Sequence, residues 1–218
     1  MPLLDFDFET WRDTKGYECV PDRLGLDTII RRKGGRLEKT KPFSYHPTLY
    51  KQFADLPDDP VAYCKFVNTF GPITYKHQDP AGRTIDKNLN KAAEKLGESF
   101  GLLRQKTELM HHIISGWLED PAEWMPFGEN SPHMRFIAQL GRRPDGGRTL
   151  RFLPFTLFEA MLLQLCQAIS SDRTIRACAW CNGWFEIGAK SKRSSARFCS
   201  DRCRTRFHND RRLKGAHS

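Results

Sequence analysis

The chain predicts an α+β fold: a mainly helical N-terminal domain with β-hairpins, followed by a small Cys₄ zinc finger. Three observations carry that expectation. Residues 156–169 are apolar at almost every position, the mark of a helix buried at the centre of a domain. Met134, Phe136, Ala138 and Leu140 alternate with other residues, and so do Leu150 and Phe152, the period of a half-buried strand. Near the C-terminus, Cys178 and Cys181 form one close pair of thiols and Cys199 and Cys203 a second.

Taken in order, residues 28–32 and 36–40 flank Lys33-Gly34-Gly35 and predict a hairpin with a glycine turn. Asp58-Asp59-Pro60 then opens a short helix, since an acidic cap and a first-turn proline are start signals. Tyr63, Phe66, Val67 and Phe70 make its apolar face, and Gly71-Pro72 stops it. A long helix is predicted over 88–119, because Leu89, Ala92, Ala93, Leu96, Phe100, Leu103, Met110, Ile114 and Trp117 recur at intervals of about three and four. Residues 134–153 follow as a hairpin, turning through Arg142-Arg143-Pro144-Asp145-Gly146-Gly147 and expected to pack on the long helices. Thr156 and Glu159 form a capping box that opens the apolar helix. Composition changes at Ser170-Ser171-Asp172-Arg173, which places a domain border near 173 and divides the chain into 1–172 and 173–218.

At 218 residues, with 28% charged and 39% hydrophobic, the chain suits a soluble protein with one sizeable core and a small appended module. No stretch is long and apolar enough for a membrane span, and the first residues lack the basic segment and apolar core of a secretory signal. Seven cysteines, with Cys19, Cys64 and Cys166 scattered, suggest a reducing compartment, the cytoplasm. Charge is distributed unevenly. Residues 173–218 hold twelve Lys/Arg against three acidic residues, a balance of +9 that equals the net charge of the whole chain. Residues 1–172 are neutral, so the excess points to a polyanionic partner at the C-terminal end.

The spacing C-x₂-C, seventeen residues, C-x₃-C lets Cys178, Cys181, Cys199 and Cys203 reach one tetrahedral Zn²⁺. Free thiols and an iron–sulfur cluster are the alternatives. Cys178 to Gly183 reads as a knuckle, with Gly183 permitting the backbone turn. Residues 184–187 and 196–198 read as two strands and the residues after Cys199 as a helix, with Cys199, Cys203 and Phe207 pointing inward. That is a treble-clef arrangement, with a zinc ribbon as its neighbour. One structural zinc supplies the folding energy, because a segment of about 40 residues has too little apolar area of its own, and four thiolates close the coordination sphere against a catalytic water. His208 reads as a surface residue of the basic helix. His111 and His112 are adjacent, make a poor metal pair, and predict one partly buried and one exposed ring.

The nucleic-acid-binding candidates are Lys190, Lys192, Arg193 and Arg197 from the loop, with Arg202, Arg204, Arg206, His208, Arg211 and Arg212 from the helix. Such a surface tracks phosphates, and Arg also reads base edges. Trp180, Trp184 and Phe185 read as the miniature core of the metal module, with base stacking as the other reading.

Cys178-x₂-Cys181, a basic serine-containing loop and Arg197-Phe198-Cys199-Ser200-x₂-Cys203 resemble the CGNR zinc finger. That finger follows the ABATE, or stress-induced transcription regulator, domain in bacterial proteins. Phe66-Val67-Asn68-Thr69-Phe70-Gly71-Pro72 resembles a helix and exit turn of that domain. Cys178, Cys181, Cys199, Cys203 and Arg206 match the family's motif; Arg204-Thr205 stand where the family has Gly-Asn. The resemblance implies a zinc-binding bacterial transcription regulator that contacts DNA through the finger, with the N-terminal domain sensing a small ligand or protein partner. The competing expectations are an adaptor in a toxin–antitoxin or defence system and an RNA-binding protein. A homodimer is compatible with the sequence. No P-loop, GxGxxG or Gly-x-Ser-x-Gly is present, so no enzyme and no catalytic residue is expected.

Overall fold

The computed structural model describes residues 8–22, 28–46, 48–74, 97–119, 136–142, 147–170, 174–187 and 195–215. It is a mixture of helices and antiparallel strands, as the sequence predicts.

Its first four strands pair differently from the expectation. β1 (Thr10–Asp13) pairs with β4 (Leu37–Thr40), and β2 (Tyr17–Pro21) pairs with β3 (Thr28–Arg32). Residues 28–32 and 36–40 are strands but do not face each other; each pairs with a segment upstream. Lys33-Gly34-Gly35 is therefore a corner and not a hairpin turn. Residues 14–16 oppose residues 33–36 there, so the ribbon is bulged and bends. Asp13 pins the corner. It is buried, and its carboxylate accepts the N–H groups of Lys15 and Gly35, each at 2.7 Å. Gly16 and Gly34 both carry positive φ, +81° and +83°, which side chains resist. A short strand, β5 (Glu98–Ser99), extends the sheet beyond β3.

Two short helices follow β4: α1 (Pro42–Tyr45) and α2 (Leu49–Ala54). α3 (Pro60–Phe70) forms as expected. The Asp59 carboxylate accepts Val61 N–H at 3.1 Å, Pro60 occupies the first turn, and Gly71 leaves the helix at φ 92°. Tyr63, Phe66, Val67 and Phe70 are all buried. The long helix is shorter than predicted: α4 spans Phe100–Glu119. Gly97, with φ +81°, and the extended pair Glu98–Ser99 interrupt the apolar periodicity that continues across them. Leu89, Ala92, Ala93 and Leu96 lie outside the described residues. β6 (Phe136–Arg142) and β7 (Arg148–Pro154) form the predicted hairpin, Phe136 opposite Pro154. It packs on the next helix through its base. Pro154 is buried, whereas Leu140 is 81% exposed and Phe136 and Leu150 are also exposed.

α5 (Leu157–Ser170) is the centre of the molecule, with ten of its side chains buried. Its capping box closes in both directions: Glu159 N–H donates to Thr156 Oγ1 at 3.2 Å, and Thr156 N–H to Glu159 Oε2 at 2.9 Å. Gln164, buried in the same helix, accepts Tyr50 N–H of α2 at 3.3 Å. Aromatic rings from α2, α3 and α5 interlock; Phe53 lies 5.4 Å from Phe66 and 6.1 Å from Phe158. Glu98 ties the start of β5 to Ile73 and Thr74. One of its oxygens accepts Ile73 N–H at 2.9 Å and Thr74 Oγ1–H at 2.7 Å, and the other has no hydrogen-bond partner among the described residues. Burial pushes this carboxyl up to about 7 despite those donors.

Two outcomes are expected. Leu162→Ala, which truncates a side chain 2% exposed in α5, should cost about 2–5 kcal/mol in chemical unfolding. Glu98 binds its proton more tightly folded than unfolded. Its contribution to stability is therefore complete below its ordinary pKa of 4.5 and is lost as pH rises to about 7. The urea midpoint of the wild type should fall over that window, and Glu98→Gln should flatten the fall; an equal pH slope in both proteins would contradict this.

Candidate metal centre

The C-terminal module starts from a hairpin. β8 (Thr174–Ala177) pairs with β9 (Trp184–Ile187), and residues 178–183 make the knuckle at its turn. Cys178 N–H donates to Gly183 O and Asn182 N–H to Cys178 O, each at 3.0 Å. Asn182, with φ 55°, takes the left-handed conformation; Gly183 does not, contrary to the expectation. Asparagine tolerates that region better than most side chains. The strand expected over 196–198 is not formed. β9 pairs upstream with β8, and the returning segment joins the knuckle through Ala179 N–H to Arg197 O at 2.9 Å.

Cys199 precedes α6 (Asp201–Gly215), and Cys203 sits in that helix's first turn. Ser200 caps the helix, its Oγ accepting Cys203 N–H at 3.2 Å. The cap orients both thiols toward the knuckle. The four sulfurs lie within 4.8 Å of one another, Cys181 to Cys199 at 3.7 Å and Cys199 to Cys203 at 3.4 Å. A tetrahedron of thiolates about 2.3 Å from a central ion has sulfurs about 3.8 Å apart. The cluster can therefore hold one metal ion.

Its electrostatics favour this. Burial works against a Cys178 thiolate, but the backbone N–H groups of Cys181, Cys199 and Trp180 point at its sulfur and bring its pKa down to about 6. Burial and the neighbouring thiols push Cys199 up to about 12. Burial also raises Cys181. One thiolate is held by the backbone, and ionising Cys181 or Cys199 beside it needs a cation among the sulfurs.

Phe185 and Ile187 are buried with Cys178, and Phe198 packs beside them. Phe207 stands one helical turn beyond Cys203, its ring 5.2 Å from Phe198. Of the three aromatics assigned to this small core, only Phe185 belongs to it. Trp184 points the other way along β9, against the main core, with its ring edge-on to His111 at 5.5 Å. Trp180 is exposed.

The module is strapped to the rest of the protein across the border drawn near 173. Ile175 is completely buried in the main core. The Asp55 carboxylate accepts Trp184 N–H at 3.4 Å. Glu186 accepts Tyr50 Oη–H at 2.8 Å and pairs with Lys51 at 3.4 Å, both charged groups being nearly buried. Sequence reading missed Tyr50, Lys51 and Asp55, because their partners lie more than a hundred residues away and leave no local pattern. It also misplaced the histidines: His111 and His112 are both exposed.

On α6, Cys203, Phe207 and Asp210 form the partly buried seam, while Arg202, Arg204, Arg206, His208 and Arg211 are exposed around the remainder of the helix. Arg204 pairs with Asp201 at 3.2 Å, and the guanidinium groups of Arg197 and Arg211 lie over the Phe207 ring at 5.9 and 6.0 Å. Arg212 belongs to α6 as well. Lys190, Lys192 and Arg193 lie outside the described residues. No helix among the described residues is long and apolar enough to cross a membrane.

Comparison with family models, with curated proteins and with solved structures finds no match to this chain.

Metal analysis should give one ion per chain. Cys203→Ser should lose it and release α6, while β8 and β9, held by Ile175 and Glu186, stay folded. Hydrogen exchange would read this as lost protection after residue 199 and retained protection at 175–177; full protection of α6 in a metal-free variant would contradict it.

Proposed function

We propose that the C-terminal module is a zinc-stapled finger that binds DNA, and that the protein is a bacterial transcription regulator. The observation that carries this reading is the basic helix α6: a metal ligand sits in its first turn, and Arg202, Arg204, Arg206, His208 and Arg211 are exposed along it. A fixed ion would hold these cations in one arrangement, which a solvated tail would not do.

Zinc suits the donor set. Four thiolates arranged tetrahedrally match its coordination, and sulfurs this close together enclose a single ion better than a multi-iron cluster. A sphere closed by four protein sulfurs has no position for a reacting water, so the ion's role is structural. Cys178, Cys181, Cys199 and Cys203 would hold it. The arginines then contribute phosphate neutralisation, and those with free guanidinium edges can read guanine in a groove. Arg206 is exposed and lies in the resemblance to the CGNR finger, which supports DNA as the polyanion.

The test is binding across a salt series. Wild type should bind duplex DNA with an affinity that falls as salt rises, by a slope of about 0.9 per phosphate contacted. An Arg204/Arg206/Arg211 charge-reversed variant should lose most of that slope while keeping its zinc. Preference for single strands would move the reading to RNA. A zinc-loaded protein with no salt-dependent binding to either would leave the adaptor reading in its place.

A further inference from the structure

A cavity of about 370 Å³ opens between the end of α2, the loop after it, α3 and α4. That volume lies in the range of small-molecule sites, and none of the residues proposed to bind metal or nucleic acid lines it. Its apolar wall is Ala54, Leu56 and the ring of Tyr63, which is 1% exposed. Its polar wall is one face of α4, where Arg104, Glu108, His111, His112 and Ser115 follow one another along the helix.

Charge at the mouth is unbalanced. Asp58 and Glu108 share a single guanidinium: Arg104 lies 3.9 Å from Asp58 and 3.6 Å from Glu108. Close charge-assisted pairs are about 2.7–2.9 Å, so both carboxylates keep acceptor capacity for a third partner. Two carboxylates against one guanidinium leave a net negative rim over an apolar floor. An anionic ligand would meet that rim unfavourably; an amine on an apolar body fits both parts.

The cavity also touches the strap to the metal module. His111 is a wall residue, and its ring meets Trp184 edge-on at 5.5 Å. Asp55, which accepts Trp184 N–H, lies between the wall residues Ala54 and Leu56. Trp184 is followed in β9 by Phe185 and Ile187, which pack with Cys178 in the metal module's own core. A ligand that displaces the His111 ring therefore moves the residue next to that core.

The geometry points to this cavity as a binding site for a small organic cation, an amine carried on an apolar ring or chain, whose occupancy is felt at Trp184 on the strap to the finger. The site stands whether or not the finger binds nucleic acid.

Three probes of one shape and different charge decide it: benzylamine, benzyl alcohol and phenylacetate, titrated into the full zinc-loaded chain and followed by the NMR signals of His111, His112 and the Trp184 indole. Benzylamine should shift the histidine signals saturably and bind about fivefold more tightly than benzyl alcohol, the upper range for one exposed ion pair, with phenylacetate weakest. In the Asp58→Asn/Glu108→Gln variant, whose changes fall on exposed side chains, benzylamine and benzyl alcohol should bind within about twofold of each other. Phenylacetate binding as tightly as benzylamine, or no probe shifting His111 and His112, would overturn the site. A Trp184 signal that stays fixed while the histidines saturate would overturn its link to the finger.

Discussion

Four sulfurs within 4.8 Å of one another set the terms for the C-terminal module. As thiols they gain little from such proximity, and as thiolates they repel. Only a cation among them turns the arrangement into a source of stability. The module has little else. Among the described residues its own core has Cys178, Phe185 and Ile187 as its buried side chains, far fewer than an independent fold of this length needs. Every other feature follows from bringing two thiol pairs together. The left-handed turn at Asn182 folds the first pair onto itself, and Ser200 starts a helix at the point where Cys199 and Cys203 face that pair.

A second constraint fixes the module on the body. Lys51 and Glu186 form an ion pair largely withdrawn from water, with Tyr50 Oη–H as an additional donor to the carboxylate. Such pairs contribute little net stability relative to apolar packing, but breaking one leaves a charge without its partner, so they select a single docking arrangement. Here the selected arrangement places Ile175 in the main core and Trp184 against His111. Charge is segregated as well. Residues 1–172 carry no net charge, and Arg202, Arg204, Arg206 and Arg211 of α6 are exposed.

What could be read from the sequence was what local chemistry dictates. Asp59, Pro60 and Gly71 bound α3, and the Thr156–Glu159 box opens α5, because caps act within one helical turn. The four cysteines were legible for the same reason: their spacing limits where their sulfurs can go. Strand pairing was not legible in that way. Residues 28–40 look like a hairpin until Tyr17–Pro21 and Thr10–Asp13 compete for the same edges, and the Asp13 carboxylate settles the contest from outside the segment. The long helix failed differently. Apolar periodicity runs through Gly97, but a positive φ and the buried Glu98 clamp impose an extended pair there. Periodicity reports which face is apolar; it does not report where the backbone stops being helical.

Contacts of long sequence range join these local pieces. β9 has a residue in the metal module's core and a residue against a wall of the cavity beside α4. Phe185 is buried beside Cys178, while its neighbour Trp184 lies against His111. Alternation along a strand forces this, since successive side chains leave the backbone on opposite sides. A four-residue strand serving both cores cannot shift on one side without disturbing the other. The dependence comes from the pleat itself, and it requires only that β9 remain a strand pinned by Asp55 at one end and by Glu186 within it.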